Sequence, residues 1–473
     1  MNKIYETVIG VEVHVELKTK SKLFCSCKTE YGAPPNSQSC PICAGFPGTL
    51  PTVNKNAVYF AIKAGLATCC NISNICKFDR KNYFYPDLPK AYQISQYDIP
   101  ICKNGYVRIN LNGNQKDIGI TRIHLEEDAG KLIHDQSDGT LIDLNRAGIP
   151  LIEIVTEPDM RSAEEVIAFL KKLRLTLLYT GISDCKMNEG SMRCDVNLSV
   201  RKKGETTLGV RTEIKNLNSF AFIAKAIEAE AKRQISILDA GNDVTSVTVR
   251  YDTQSGLTYP MRKKEHQEDY RFIRDPDIPI IKLDHSEINK IKSSLPMLPD
   301  EKMHCYCEIY RIPNSSAETI ISDINVSRFF DEILGCVNDP ATAATLVISE
   351  FPAFEELRYA CTPEHFASLS NLLSDRKINS STSKKLLKML IEKDFDPEKY
   401  VTENSLLQIT SESEVRSAVI SALKDNKKVV ADYISGKSSA YKSIYGYAMK
   451  LTCGKADPLI LDAILKKELG YIG

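Results

Sequence analysis

Two groups of side chains in this 473-residue sequence have types and spacings that could do chemistry. The first is acidic. In Val11-Glu12-Val13-His14-Val15-Glu16-Leu17 polar and apolar residues alternate, so Glu12, His14 and Glu16 share one face of a strand. In Arg122-Ile123-His124-Leu125-Glu126 the polar face carries Arg122, His124 and Glu126, and Glu127 and Asp128 follow at once. Three consecutive carboxylates repel one another unless a cation lies nearby. Carboxylate oxygens suit a hard cation such as Mg²⁺, an imidazole can join them, and such an ion usually also holds phosphate oxygens of a substrate. Two more alternating stretches, 195–201 and 210–215, begin one polar face with Asp195 and place Arg211, Glu213 and Lys215 on another. The plainer reading of each wet face is simple solvation. Taken together, the faces raise a sheet-floored cleft for a Mg²⁺-nucleotide.

The second group is thiol. Cys25-Ser26-Cys27 is followed after twelve residues by Cys40-Pro41-Ile42-Cys43, with a loop-like Pro34-Pro35-Asn36-Ser37 between them. That spacing can supply four thiolates to one tetrahedral zinc; reduced free thiols are the alternative. A four-cysteine site is coordinatively closed, so its role would be structural. Other chemistries find no motif. Gly436-Lys437-Ser438 has the tail of a phosphate-binding P-loop, but its first glycine would fall at Ala431. There is no Gly-x-Ser-x-Gly elbow and no convincing Cys–His nucleophile.

The elements that must position these groups are strands first and helices second. Strict alternation fits antiparallel strands with one dry and one wet face. The stretches 195–201 and 210–215 flank Lys202-Lys203-Gly204-Glu205 and are expected to pair. One helix is expected from Ser162 to Thr180: Ser162 and Glu165 form a capping box, Val166, Phe169, Leu170, Leu173 and Leu177 form its stripe, and Gly181 follows. A second is expected from Ser219 to Ala240, with Phe220, Ile223, Ile227 and Leu238 on its buried side. A break at Leu295-Pro296-Met297-Leu298-Pro299 introduces a mostly helical remainder, with a further boundary near 402–405.

Composition narrows the class. Basic and acidic residues number 61 each, hydrophobic residues make up 43% and charged residues 26%, which excludes a disordered or fibrous chain. Zero net charge means that any nucleic-acid binding must use local patches. Residues 401–473 carry ten Lys plus Arg against eight Asp plus Glu, with Lys424, Lys427, Lys428 and the 450–455 loop as candidate phosphate contacts. No apolar run approaches the ~18 residues of a membrane span, and the opening residues carry no secretory signal. Fifteen cysteines in such a chain fit a reducing, intracellular setting.

Read in order, several long stretches resemble one family. They are Gly10–Leu17, Tyr83-Phe84-Tyr85-Pro86-Asp87-Leu88-Pro89-Lys90, Tyr92-Gln93-Ile94-Ser95-Gln96, His124–Lys131, Ser191–Asn197 and Arg211–Ser219. The tail Met449-Lys450-Leu451-Thr452-Cys453-Gly454-Lys455-Ala456-Asp457-Pro458 extends the likeness to the end of the chain. These stretches resemble the B-subunit of the aspartyl/glutamyl-tRNA(Asn/Gln) amidotransferases. Ala91 departs from the pattern, because the family usually carries Gly after Pro-Lys. The resemblance implies an α+β fold: a cradle on an antiparallel β-sheet with flanking helices (1–295), an all-α helical domain (296–402) and a small helical, tRNA-associated tail (403–473). It implies a cytoplasmic enzyme, or one of an organellar matrix in a eukaryote. It would work in a heterotrimer with an amidase A-subunit and a small C-subunit, on mischarged tRNA and away from membranes. The implied reaction is ATP-dependent phosphorylation of the esterified amino acid's side-chain carboxylate, followed by displacement of phosphate by ammonia made in the amidase.

Carried onto this sequence, the family's Mg²⁺ ligands would be Glu12, His14, Glu126, Glu127, Asp195 and Glu213. Six are too many for one ion that also holds phosphates, so some would serve a second ion or act through water. Glu126, Glu127, Lys90 and Arg193 are expected in the catalytic machinery. By charge, Lys81 and Lys131 are expected to bind the ATP phosphates. Cys25, Cys27, Cys40 and Cys43 are expected to hold the zinc. A non-enzymatic tRNA adaptor is the competing expectation.

Overall fold

The computed structural model describes residues 4–134, 138–263, 270–349 and 361–472. They form two compact units, Met1–Pro299 and Asp300–Gly473. The first is built on a nine-stranded sheet. Its strands are β1 (Tyr5–Glu16), β2 (Asn71–Ile72), β6 (Cys102–Leu111), β7 (Asn114–Glu127), β10 (Pro150–Thr156), β11 (Met192–Lys202), β12 (Thr212–Leu217), β13 (Val247–Asp252) and β14 (Leu257–Lys263). The spatial order is β14-β13-β12-β11-β1-β10-β7-β6-β2, with β1 at the centre. Every neighbouring pair is antiparallel except β12 and β13. Shorter strands extend the scaffold: β4 (Asp79–Asn82) pairs with β5 (Tyr92–Ser95) and β15 (Ile273–Arg274), β3 (Ile75–Cys76) with β16 (Ile281–Lys282), and β8 (Lys131–Ile133) with β9 (Leu141–Asp143).

Alternation on β1 decides which face is covered. Val11, Val13 and Val15 are buried in the main core together with residues of α1 (Lys55–Ala67), α2 (Ala163–Thr180) and α3 (Phe220–Asp239). Burying the three valines contributes roughly 1.5–3 kcal/mol apiece, so a one-residue slip of β1 is strongly opposed. The residues between them, Glu12, His14 and Glu16, therefore face away from the helices.

The expected helices are present. Ser162 caps α2, accepting from Glu165 N, and Gly181 ends it in the left-handed region at φ 73°. Ser219 caps α3 by accepting from Phe222 N. α1 was not expected. Its buried side is Ala57, Val58, Ala61, Ile62, Ala64 and Gly65, too small to give a strong apolar stripe, and Asn54 caps it.

The second unit is helical in its described residues. Its last four helices, Glu412–Asp425, Lys427–Ile434, Ser438–Leu451 and Pro458–Ile472, surround a core that includes Val415, Val419, Ile444, Ala448, Leu461 and Leu465. No described helix is long and apolar enough to cross a membrane.

Candidate active site

Strand register sets the site. Arg193 on β11, His14 on β1, Glu153 on β10 and His124 on β7 stand abreast on four adjacent strands. One step along the sheet, Leu151 brings Glu16 and Glu126 into a second row. His14 Nε2 lies 3.3 Å from Glu153 Oε2 and 3.9 Å from Glu126 Oε1. His124 Nε2 lies 3.4 Å from each of Glu126 Oε2 and Glu153 Oε2. Ser95 Oγ donates to Glu126 Oε2 at 3.0 Å. One ligand atom each of His14, Glu126 and Glu153 lie within 4.8 Å of one another.

The electrostatics follow from burial. Burial alone would lower both histidines, but the Glu153 hydrogen bond and the charges of Glu153, Glu126 and Asp195 raise His14 overall. The same two glutamates raise His124 to about 9, so it is an imidazolium at neutral pH. Burial favours the protonated form of Glu153, yet the two histidines hold it well below the usual carboxylate range. Beside this cluster, burial and the charge of Asp128 raise Glu16 to about 8. Asp128 itself is kept low, against its burial, by Arg193 and Arg146, and Arg193 Nη2 donates to Asp128 Oδ2 at 2.6 Å.

His14, Glu16, Glu126, Asp128, Arg146, Glu153 and Arg193 line a cleft of about 1050 Å³, together with Lys81, Tyr83, Gln93, Lys131, Asp195 and Lys215, while His124 lies buried behind its floor. The expected ligands do not all meet there. Asp195 lines the cleft and accepts from Lys215 Nζ at 2.6 Å. Glu12 pairs with Asp195 in register, but accepts from Asn197 Nδ2 at 2.8 Å and borders a smaller pocket. Glu213 accepts from Thr248 Oγ1 at 3.2 Å and lies 3.2 Å from Lys215 Nζ.

Glu127 lies elsewhere. As the residue after Glu126 on β7, it points to the opposite face. There it accepts from Lys90 Nζ at 2.6 Å and from Ile94 N at 2.9 Å. Lys90 and Glu127 line a separate cavity of about 210 Å³ with Lys22, Cys25, Cys43, Gly45 and Gly148. Gly45 has φ 72°, and a Cβ there would stand 2.8 Å from Lys90 Cγ, so the loop can close over this lysine only with glycine.

The four cysteines do converge: their sulfurs lie within 4.8 Å of one another. Cys40 and Cys43 sulfurs are 3.9 Å apart, near the ~3.8 Å edge of a tetrahedron with ~2.3 Å Zn–S bonds. The Cys25 hydrogen bond, the Cys40 amide and the Lys22 ammonium pull Cys43 down to about 4, while its bond to Cys43 and its burial push Cys25 up. Lys22 is fully buried, with Nζ 3.6 Å from Cys43 Sγ and donating to Leu144 O at 3.0 Å. A cluster that already favours one thiolate beside a buried cation suits a metal-binding set.

Glu153, Arg146 and Lys22 escaped the sequence reading. Glu153 had a signal. It is the single charged residue in Pro150-Leu151-Ile152-Glu153-Ile154-Val155-Thr156, and a lone carboxylate in an apolar strand needs a partner. Lys22, in a polar loop, had none.

Comparison with known proteins decides the family. Residues 7–289 match the GatB/GatE catalytic domain and residues 328–469 match the GatB domain. The chain belongs to the B-subunit family of the aspartyl/glutamyl-tRNA(Asn/Gln) amidotransferases. It is 49% identical to the family's protein from Caldicellulosiruptor saccharolyticus, covering 99% of this chain and 100% of the relative. It is 48% identical to the one from Lachnoclostridium phytofermentans, covering 99% of each. Every residue of the cleft cluster falls inside the family's catalytic-domain match.

Proposed function

We propose that this chain is the transamidating subunit of a tRNA-dependent amidotransferase. It acts on Glu-tRNA(Gln), Asp-tRNA(Asn) or both, with ATP, and receives ammonia from a separate amidase in an assembly that also contains a small third subunit. The observation that carries the reading is the convergence of His14, Glu126 and Glu153 on the floor of a cleft whose walls carry Lys81, Lys131 and Arg193. Full-length similarity to proteins named for this reaction supports it.

A free carboxylate is a poor acyl donor, because its leaving group would be oxide. Transfer of the γ-phosphoryl group from ATP to the side-chain carboxylate releases ADP and gives an acyl phosphate. Ammonia then forms the C–N bond as the C–O bond to phosphate breaks. The donor set fits Mg²⁺: carboxylate oxygens with one imidazole, leaving positions for substrate oxygens. Glu126, Glu153 and His14 would hold it, with Asp195 and Glu12 alongside and Glu213 supporting through Lys215. When bound, Mg²⁺ would offset the charge on the phosphoryl oxygens. Lys81 and Lys131 would draw the nucleotide phosphates into the cleft. Arg193, held by Asp128, positions the acidic floor, and His124 keeps Glu126 and Glu153 oriented. Lys90 and Glu127 act from the opposite face, as a buried pair that fixes the β5–β7 contact. Cys25, Cys27, Cys40 and Cys43 would hold a structural zinc. Residues 296–402 and 403–473 would serve as helical domain and tRNA-associated tail.

The test is reconstitution with the amidase and the small third subunit, ATP and each mischarged tRNA. Amide formation on at least one tRNA, dependent on ATP, is expected. ATP-independent tRNA binding with no amide formed would favour a non-enzymatic adaptor.

A further inference from the structure

A row of aromatic rings lies beside the cleft, and the chemistry above uses none of them. β4 ends at Asn82, and its continuation Tyr83-Phe84-Tyr85 leaves the sheet. β15 pairs with β4 and brings Tyr270 and Phe272 alongside, fixed by Asn82 Nδ2 donating to Arg271 O at 2.7 Å. Tyr83 meets Tyr270 edge-on at 5.8 Å, Tyr270 meets Phe272 at 6.2 Å, and Phe272 lies flat on Tyr97 at 4.3 Å. Lys81 Nζ sits 4.6 Å from the centre of the Tyr270 ring. Lys81 and Tyr83 line the cleft, whereas the outer rings face solvent: Phe84 is 83% exposed and Tyr85 51%.

An aromatic ring this exposed adds little to folding stability, and grouped exposed apolar side chains mark a contact surface. The chemistry of this one is specific. Exposed ring faces are what proteins use to hold unpaired nucleobases, each base stacking on a ring.

We propose that Phe84 and Tyr85, which continue the chain from Tyr83 of the Tyr83–Tyr270–Phe272–Tyr97 row, form a stacking ledge for unpaired bases at the aminoacylated end of the tRNA. This rests on the transamidation reading above. The position favours the strand end over the adenine of ATP. The two exposed rings lie outside the cleft lining, next in sequence to Tyr83, which belongs to it. A polymer end must cross such a rim to deliver its carboxylate to the acidic floor, whereas a nucleotide needs only the interior.

The test uses the full reconstituted complex and tRNA carrying 2-aminopurine in place of the terminal adenine. Binding is expected to quench its fluorescence through stacking. Phe84→Ala should abolish the quench and raise the KM for charged tRNA about tenfold, within the range measured for loss of one base–aromatic stack. The KM for ATP should stay the same, and Phe84→Tyr should restore both readouts. A rise in the KM for ATP alone would assign the rings to the nucleotide and overturn the proposal, as would a quench and tRNA KM that Phe84→Ala and Tyr85→Ala leave untouched. The quench needs no turnover, so it tests the ledge even if wild-type complex forms no amide, an outcome that would overturn the transamidation reading instead.

Discussion

Glu126 and Glu127 are adjacent in the chain and serve opposite faces of the sheet. Glu126 Oε2 meets His124 Nε2 at 3.4 Å on the cleft side, and Glu127 Oε2 meets Lys90 Nζ at 2.6 Å on the other. The acidic run that looks self-repelling in sequence is thus divided by the pleat into two neutralised sites. The two carboxylates face different cations, His124 and Lys90, so substitutions at the two positions should have separable effects.

Glu153 should matter as much as any cleft residue anticipated from the sequence. Glu153→Gln removes the charge that both histidines face, so His14 and His124 should lose much of their raised proton affinity. NMR titration of the two imidazoles should show both values falling. Unmoved histidine titrations would mean that Glu153 does not set the electrostatics of the row.

The cysteine cluster should carry about one zinc per chain. Cys40→Ser should lose the metal and destabilise the first unit, because four bonds between 25–27 and 40–43 constrain the unfolded chain. Elemental analysis with thermal unfolding checks this. Metal-free protein of undiminished stability would rule the site out.

Ala91 sits at φ 62° in the turn closed by its amide donating to Leu88 O at 2.9 Å. Left-handed backbone costs a residue bearing a Cβ roughly 1–2 kcal/mol, and glycine gives back about 0.5–1 in chain entropy. Ala91→Gly should therefore stabilise the protein by about 0.5–1 kcal/mol in denaturant unfolding. A loss of stability would show that the alanine methyl makes a contact worth more than the strain.

Buried Glu230 ties α3 to β12 and β14, accepting from Thr212 Oγ1 and Thr258 Oγ1 at 2.8 Å and from Arg233 Nη2 at 2.7 Å. Burial would raise its pKa, but these donors, Arg233 foremost, hold it below the ordinary value. A depressed carboxylate stabilises fully above its unfolded pKa of about 4.3, and loses that contribution as pH falls through the lower folded value. Glu230→Gln should cost about 2 kcal/mol at pH 7. The gap to wild type should close as pH drops below about 4; a gap independent of pH would mean that packing, not charge, is responsible.

The strands that carry Glu12, His14, Glu126, Asp195 and Glu213 were legible because each has one dry and one wet face, and α2 and α3 because their caps and stripes coincide. β10 was not, since both its faces are apolar apart from Glu153 and Thr156, and α1 was not, since four of the six residues on its buried side are alanine or glycine. Adjacency in sequence also misgrouped Glu127 with the cleft, because only the pleat, and not the composition of the run, says which face a side chain takes. Lys22 was invisible because its burial depends on the cysteine loop folding over it.

The most direct test is phosphoryl transfer from labelled ATP to charged tRNA by the reconstituted complex, with tRNA binding followed in parallel. Glu126→Gln keeps the size of the side chain but removes one of the two carboxylate charges at His14. It should slow transfer by roughly a hundredfold or more, on the scale of losing a charge-stabilising group in phosphoryl transfer, while tRNA binding changes less than about twofold. Near-normal transfer in Glu126→Gln and in Glu153→Gln would contradict a catalytic role for the cleft.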